Sequence, residues 1–464
     1  MSVELILGPP GTGKTYTLVE KVREYLQNGG HPSKLGMVSF TRKAVEEMLE
    51  RLCAEFNLEP KDFPYVKTMH ALGFAGLGLT TKDIMDKEDY GVIGESLSLS
   101  FKGMSSTHTE DGLPINSVKG TGAQYLRLIA RSRLRKTTLE QEYREAENFD
   151  FIVDEGQDLL PLQWEMQQKI SENSDHTIIA GDDDQAIHRW AGVDVKLFMN
   201  STSNITVLNQ SYRLPHEIWA LANKISKRIH DRLQKDFEPR EPGGEVQTVM
   251  HLTDIPLDQG SWTLMCRTNS FAQDIAYELE DMGYFYSLKN KPSVPLDQAK
   301  AIHVWRELQA GKKVDLSRVK EFYSTVPKKG DFAVVKWGSA KLLDAVPPDG
   351  LLTYEELLGD FGLLAPKERD EYSIVRVGSD MEQYIRSIER RGQDITKPPR
   401  IKVSTFHAMK GGEDDNCVVY TGSTYKCVEE NDPDDEHRAF YVAITRARKR
   451  LYLLESNKKY RYIV

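Results

Sequence analysis

Eight residues near the start of the chain carry its clearest chemistry: Gly8, Pro9, Pro10, Gly11, Thr12, Gly13, Lys14 and Thr15. An apolar run (Val3, Leu5, Ile6, Leu7) precedes them, and a helix-like stretch from Thr17 to Tyr25 follows. Strand, glycine loop and helix are the setting in which backbone N–H groups curl round phosphate oxygens without side-chain clash. The new helix then points its positive end at the same anion. In that setting Lys14 reaches the β- and γ-phosphates of a nucleoside triphosphate, and the Thr15 hydroxyl binds Mg²⁺.

Three further groups suit phosphoryl chemistry. Asp154-Glu155-Gly156-Gln157-Asp158 follows an apolar strand. There Asp154 would hold Mg²⁺, and Glu155 would orient and deprotonate the attacking water. Gly181-Asp182-Asp183-Asp184-Gln185 also ends a strand, so Gln185 is placed to sense the γ-phosphate and pass its presence to Trp190. Trp190 equally suits core packing, and both readings stand. Arg213 and Arg446 are expected on a second lobe. Arginines donated from a facing lobe stabilise the charge that builds on a transferring γ-phosphate.

Elements that can hold these residues are legible along the chain. Residues 1–75 alternate strand and helix, with Met37 to Phe40 a short strand and Lys43 to Phe56 an amphipathic helix. Such alternation implies a parallel sheet. Residues 76–145 are rich in Gly, Ser and Thr, then strongly basic from Lys119 to Lys136, and read as an insertion. The basic run suits a solvated helix face or a phosphate contact. Strand signals return at 149–153, 177–180 and 205–208, with a helix from Pro215 to about Ile229. A strand at 263–266 and a helix at 271–282 follow, and residues 289–397 read as a second insertion without β-α rhythm. Alternation resumes at 401–405, 417–420, the helix 439–445 and the strand 451–454. The expected organisation is two α/β lobes, 1–75 with 146–204 and 205–288 with 398–464, each interrupted once, at 76–145 and 289–397.

At 464 residues the chain exceeds one ordinary core. No apolar run approaches a membrane span, and with a strand at the very start no signal peptide is expected. The four cysteines form no Cys-x-x-Cys pair, which suits a reducing cytoplasm. The net charge of −9 counts mildly against nucleic acid, although a binding channel needs only local positive charge.

Taken in order, the segments GPPGTGKT, VSFTRKAVEEMLERL, VKTMHAL, DEGQD, AGDDDQAIHRWAG, LNQSYRLPHEIWALAN, VSTFHAMKGGEDD and HRAFYVAITRARKRLYLL resemble the UvrD/Rep/PcrA-like DNA helicases of superfamily 1. The resemblance covers about two thirds of the chain. It implies two RecA-like parallel-sheet lobes with ATP and Mg²⁺ between them and single-stranded DNA across the top. By position it makes Lys14, Thr15, Asp154, Glu155, Gln185, Arg213 and Arg446 the hydrolysis set. Tyr212 would stack on adenine, and Glu413 would contact the ribose or phosphate side. Phe40, His70, Trp190 and His407 would touch DNA, with aromatics stacking on bases. Phe40, His70 and His407 also suit core positions.

The chain departs from that family in several places. The strand begins at residue 3, so the adenine-reading glutamine motif usual upstream of the P-loop is not expected in this chain. Tyr16 replaces the usual Arg, which leads to the expectation that Tyr16 and Tyr212 sandwich the base with loose purine selectivity. His188 stands where an aromatic is usual, which would make DNA grip weaker or pH-sensitive. Ala191 replaces an Arg, Asp414 replaces an aromatic, and both insertions are short. The resulting expectation is an ATP-dependent translocase on single-stranded DNA, active at duplex junctions with 3′→5′ polarity, in the cytoplasm of a bacterial or phage-infected cell. The alternative is a DNA-stimulated ATPase subunit that displaces a protein partner without unwinding. The acidic run Glu429–Glu436 suits that second reading.

Overall fold

The computed structural model describes residues 2–69, 71–72 and 149–464. The expected insertion at 76–145, with its basic run, and His70 lie outside the described residues. The chain divides into two units, Met1–Gly244 with Glu429–Thr445, and Glu245–Val428 with Arg446–Val464.

The first unit is built on six parallel strands: β1 (Ser2–Leu7), β2 (Leu35–Ser39), β3 (Val66–Thr68), β4 (Asp150–Val153), β5 (His176–Gly181) and β6 (Ile205–Val207). Their order is β3-β2-β4-β5-β1-β6. Helices α1 (Lys14–Gln27), α2 (Arg42–Phe56), α3 (Pro161–Ser171), α4 (Val195–Met199) and α5 (His216–Ser226) connect or follow them. Both sheet faces are covered, which is why β1 and β4 end in consecutive buried apolar residues, Leu5-Ile6-Leu7 and Phe151-Ile152-Val153. Ile6 packs in one core with Leu18 and Val22 of α1 and Leu52 of α2. Its neighbours Leu5 and Leu7 pack in the other with Trp164 of α3 and Phe198 of α4. The period-two alternation of a strand assigns them to opposite layers. Thr41 caps α2 by accepting from the Ala44 amide at 3.1 Å, so Phe40 sits in the turn between β2 and α2.

The second unit has β7 (Glu245–Val249), β8 (Trp262–Cys266), α6 (Asn269–Asp281), β9 (Tyr286–Leu288) and β10 (Lys291–Pro292). The expected second insertion is largely helical. It contains α7 (Leu296–Gln309), α8 (Leu316–Thr325), the short pair β11 (Val314–Asp315) and β12 (Leu351–Leu352), α9 (Tyr354–Gly359) and α10 (Ser379–Arg390). Trp305 of α7 stacks on Phe322 of α8, and both share one continuous core with Leu264 and Ile401 of the sheet. The sheet is completed by β13 (Ile401–Thr405), β14 (Asp414–Tyr420) and β15 (Ala447–Leu454), in the order β10-β9-β13-β8-β14-β15-β7. All its neighbours are parallel except β10 and β9.

Between β14 and β15 the chain returns to the first unit as α11 (Pro433–Ile444). Asp432 caps this helix, Pro433 occupies its first turn, and Asp434, Asp435 and Glu436 follow there. Acids at a helix start complement the dipole.

Two expectations are corrected here. The second lobe does not begin at residue 205, because β6 pairs with the edge of β1, Leu5 opposite Ile205, and the chain stays in the first unit to Gly244. The acidic run is not wholly free for a partner: Glu429 and Glu430 are exposed, but its later residues are engaged within the first unit. Asp432 and Asp435 each accept from Arg189 at 2.9 Å, and Asp434 accepts from the amides of His230 and Asp231.

Candidate functional site

Because every strand of the first sheet runs the same way, the segments leaving their carboxyl ends share one edge. That edge is where α/β sheets bind ligands. Phe40 follows β2, Asp154 and Glu155 follow β4, Asp182 to Gln185 follow β5, the glycine loop follows β1, and Gln210 to Arg213 follow β6. Topology therefore gathers residues that are far apart in the chain.

The glycine loop runs from Gly8 to Gly13, and α1 begins directly at Lys14. Lys14 Nζ donates to the Gly8 carbonyl at 3.1 Å and lies 3.7 Å from Glu155 Oε1. Thr12 Oγ1 donates to the Pro9 carbonyl at 2.8 Å, closing the turn. Ser211 Oγ donates to the Pro10 carbonyl at 2.7 Å, and the Tyr212 amide donates to the Gly11 carbonyl at 2.8 Å. A Cβ on Gly11 would stand 2.2 Å from Arg213 Cβ, so glycine is required for this docking. Arg213 therefore belongs to the unit that carries the glycine loop. Its expected place on a facing lobe is corrected, because β6 holds its segment against β1. Tyr16 and Tyr212 are both largely exposed, and both approach the position a Cβ on Gly13 would occupy, at 3.9 and 4.0 Å.

At the end of β4, Glu155 adopts a left-handed backbone with φ 53°. A non-glycine residue held there costs ~1–3 kcal/mol and persists only when its surroundings hold it. Asp154 is buried, and its Oδ1 accepts from the Glu155 amide at 3.0 Å. Burial, and then the Glu155 charge, push the Asp154 carboxyl up to about 7 despite the opposing Lys14. Among the described residues no cluster of three or more His, Cys, Asp or Glu side chains could hold a metal alone. A cation held by Asp154 would therefore need further ligands from elsewhere, such as phosphate oxygens.

The Asp154 shift has a measurable consequence. The folded state keeps a proton that the unfolded chain releases above its ordinary value near 3.8. Stability from this group is therefore lost as pH rises toward 7. We expect Asp154→Asn to gain on wild type by roughly 1.4 kcal/mol per pH unit between about pH 5 and pH 7, levelling off above, in denaturant unfolding of the nucleotide-free protein. A pH-independent difference would mean that Asp154 titrates normally.

Gln185 is buried, and its Nε2 donates to Asp182 Oδ2 at 2.8 Å. Three residues on, His188 stacks on Phe40 with ring centroids 5.4 Å apart, and Trp190 meets His188 edge-on at 6.4 Å. Trp190 is 67% exposed, so it is not a core residue. Phe40, His188 and Trp190 thus form one partly open aromatic row beside the Gln185 loop.

In the second unit the expected residues separate. His407 follows the carboxyl end of β13, whereas Glu413 and Arg446 immediately precede β14 and β15 at the opposite, amino edge. Arg446 is buried, its Nη1 donates to the Gly412 carbonyl at 3.2 Å, and its carbonyl accepts from the Asp414 amide at 3.1 Å. Glu413 pairs with Arg448 at 3.1 Å. Asp414, in place of an aromatic, accepts from Ser261 at 2.7 Å and Thr263 at 3.0 Å at the start of β8.

Sequence reasoning missed Gln157, Arg232, Lys235 and Arg438. Gln157 is buried, its Oε1 accepts from the Asp182 amide at 3.0 Å, and its Nε2 donates to Glu155. A Cβ on Gly181 would lie 2.2 Å from Gln157 Oε1, so that glycine was the available signal. Arg232 and Lys235 lie in an irregular stretch with no periodicity to mark them.

The AAA domain family matches residues 1–191, and the UvrD-like helicase C-terminal domain family matches residues 381–458. The ATP-dependent DNA helicase PcrA of Bacillus subtilis is 24% identical over 287 residues, 50% of this chain and 38% of that protein. DNA helicase II of Salmonella typhimurium is 24% identical over 283 residues, 50% of this chain and 39% of its own length. The ATP-dependent DNA helicase Rep of Buchnera aphidicola subsp. Acyrthosiphon pisum is 20% identical over 610 aligned positions, 99% of this chain and 93% of Rep. The chain thus spans under half the length of PcrA and helicase II. The two parallel α/β sheets, the AAA domain match over residues 1–191 and the UvrD-like helicase C-terminal domain match over residues 381–458 together support a UvrD-like helicase of superfamily 1.

Proposed function

We propose that this protein hydrolyses ATP to move along single-stranded DNA and unwind duplex junctions, with 3′→5′ polarity, in the cytoplasm of a bacterial cell. The carrying observation is one sheet edge that holds both the Lys14–Glu155 pair, 3.7 Å apart, and the Phe40–His188–Trp190 row. Lys14 and the loop amides bind the β- and γ-phosphates. Glu155, steadied by Gln157, accepts the proton of the attacking water. Thr15 and Asp154 would hold Mg²⁺, which neutralises phosphate charge when bound. Gln185 senses the γ-phosphate, and Arg213 and Arg446 answer the charge that develops on it. Glu413 serves the nucleotide side, and His407 serves the strand. His188 links Gln185 to the aromatic row, whose rings stack on bases of any sequence. Among the described residues no helix is long and apolar enough to cross a membrane.

The partner-displacing alternative is not favoured, and part of the acidic run that suits it, Asp432, Asp434 and Asp435, is engaged within the first unit. Strand displacement on 3′- and 5′-tailed duplexes, run beside ATPase with and without single strands, tests the reading. Stimulated ATPase without displacement on either tail would favour the alternative.

Tyr16 and Tyr212 supply the base clamp in this reading. Stacking worth ~1–3 kcal/mol per base predicts that Tyr212→Ala raises the KM for ATP about tenfold. Because a stacking clamp reads faces and not edges, GTP should be hydrolysed within roughly tenfold of ATP. Strict ATP preference in steady-state assays would count against the clamp.

A further inference from the structure

A hub of buried charge lies under the loop that carries Gln185. Asp182, Asp183 and Asp184 have no exposed surface. The equally sealed Lys235 places Nζ 3.1 Å from Asp182 Oδ1, 3.1 Å from Asp184 Oδ2, and against Asp183. Arg232 grips Asp184 with two parallel bonds, Nε to Oδ1 at 2.9 Å and Nη2 to Oδ2 at 2.6 Å. From α11, Arg438 donates to the Asp183 carbonyl at 3.0 Å. Burial pulls Lys235 downward, but Asp184, Asp182 and Asp183 outweigh it and hold the ammonium above the ordinary lysine range.

Such a cluster is a poor device for stability alone. Desolvating paired charges largely cancels their attraction, and well-packed apolar side chains would serve as well. Nor is the hub fully satisfied, since the buried Arg438 Nη1 and Tyr441 hydroxyl make no hydrogen bond. Stability lost where a network could have been apolar points to a positioning task.

The connections show what is positioned. One oxygen of Asp182 faces Lys235, and the other accepts from Gln185 Nε2 at 2.8 Å. The Asp182 amide donates to Gln157 Oε1 at 3.0 Å, and Gln157 Nε2 donates to Glu155. We propose that Lys235 is a positioning residue for ATP hydrolysis, acting through Asp182 on both Gln185 and the Gln157–Glu155 pair. This inference rests on the ATPase reading above. Lys235 is sealed from solvent, so its substitution should alter the rate of the chemical step and not nucleotide binding.

The test is a double-mutant cycle in kcat with Lys235→Met and Gln185→Ala, each rate normalised to the folded fraction from circular dichroism. Lys235→Met should lower kcat about tenfold or more while leaving the KM for ATP within about twofold. In the Gln185→Ala background the same change should cost less than about threefold, since the two act as one unit. Should Lys235→Met fail to fold, Arg232→Lys carries the same cycle, because lysine cannot reproduce the two-pronged grip on Asp184. An unchanged kcat in the folded variant, an unchanged kcat for Gln185→Ala, or losses that simply multiply would overturn the proposal. A wild-type protein without ATP turnover would instead remove the reading on which it rests.

Discussion

Lys14→Ala should lower ATP turnover by about 10³ or more while leaving affinity for single strands within roughly threefold. Lys14 Nζ stands 3.7 Å from Glu155 Oε1 and 3.1 Å from the Gly8 carbonyl, at the mouth of the glycine loop. Removing it takes away the cation that meets the phosphates. It also leaves Asp154 and Glu155 facing each other without compensation, and Lys14 is already the charge that opposes the upward push on Asp154. Both losses fall on the chemical step. The aromatic row of Phe40, His188 and Trp190 is built from other segments and survives the change. Filter binding of a labelled oligonucleotide beside a phosphate-release assay separates the two effects. Glu155→Gln supplies the complementary case. It keeps size and hydrogen bonding but removes the base, so turnover should drop by about 10²–10⁴ with KM little changed. Near-normal turnover in either variant would place the chemistry elsewhere.

Much of this arrangement could be read from residue types, and the reason is local. A parallel strand buried on both faces carries consecutive apolar residues, so the apolar stretches Leu5–Leu7, Phe151–Val153 and Ile178–Ala180 mark β1, β4 and β5, and the polar residues that follow each one lie on the same edge by topology alone. Asp154, Glu155 and Gln185 were found that way. What could not be read depends on long-range pairing. Ile205–Val207 is only three residues long, and nothing in it says that its partner is β1 rather than a strand of the other sheet. That one choice moved Arg213 from the second unit to the first. The start of α11 was legible in principle, since Asp432 followed by Pro433 and a run of acids is a helix-start pattern. The density of acids reads instead as a partner surface, which hides the pairing to Arg189. Lys235 left no trace, because a lone lysine in an irregular segment looks like any solvated lysine until three carboxylates are seen to surround it.

The placement of the two arginines separates their expected effects. Arg213 is docked on the glycine loop through Ser211 and Tyr212, so its contribution should be present whether or not a strand is bound. Arg446 opens the stretch Arg446–Val464, which belongs to the second unit. It follows α11, which the hub ties to the Asp183 carbonyl through Arg438. An arginine that meets developing charge on a transferring phosphoryl group is worth ~10³–10⁵ in rate, or roughly 4–7 kcal/mol. We therefore expect Arg213→Ala to depress basal and strand-stimulated ATPase by similar factors. Arg446→Ala should remove strand stimulation almost entirely, lowering the stimulated rate by about 10³ or more while changing the basal rate far less. Arg446→Lys should not rescue it, because an ammonium cannot reproduce the planar two-pronged donor set of a guanidinium toward phosphate. Measuring kcat with and without a saturating oligonucleotide for all three variants decides the matter. Equal loss of basal and stimulated rates in Arg446→Ala would make that residue part of the resting site and would detach strand binding from the second unit's arginine.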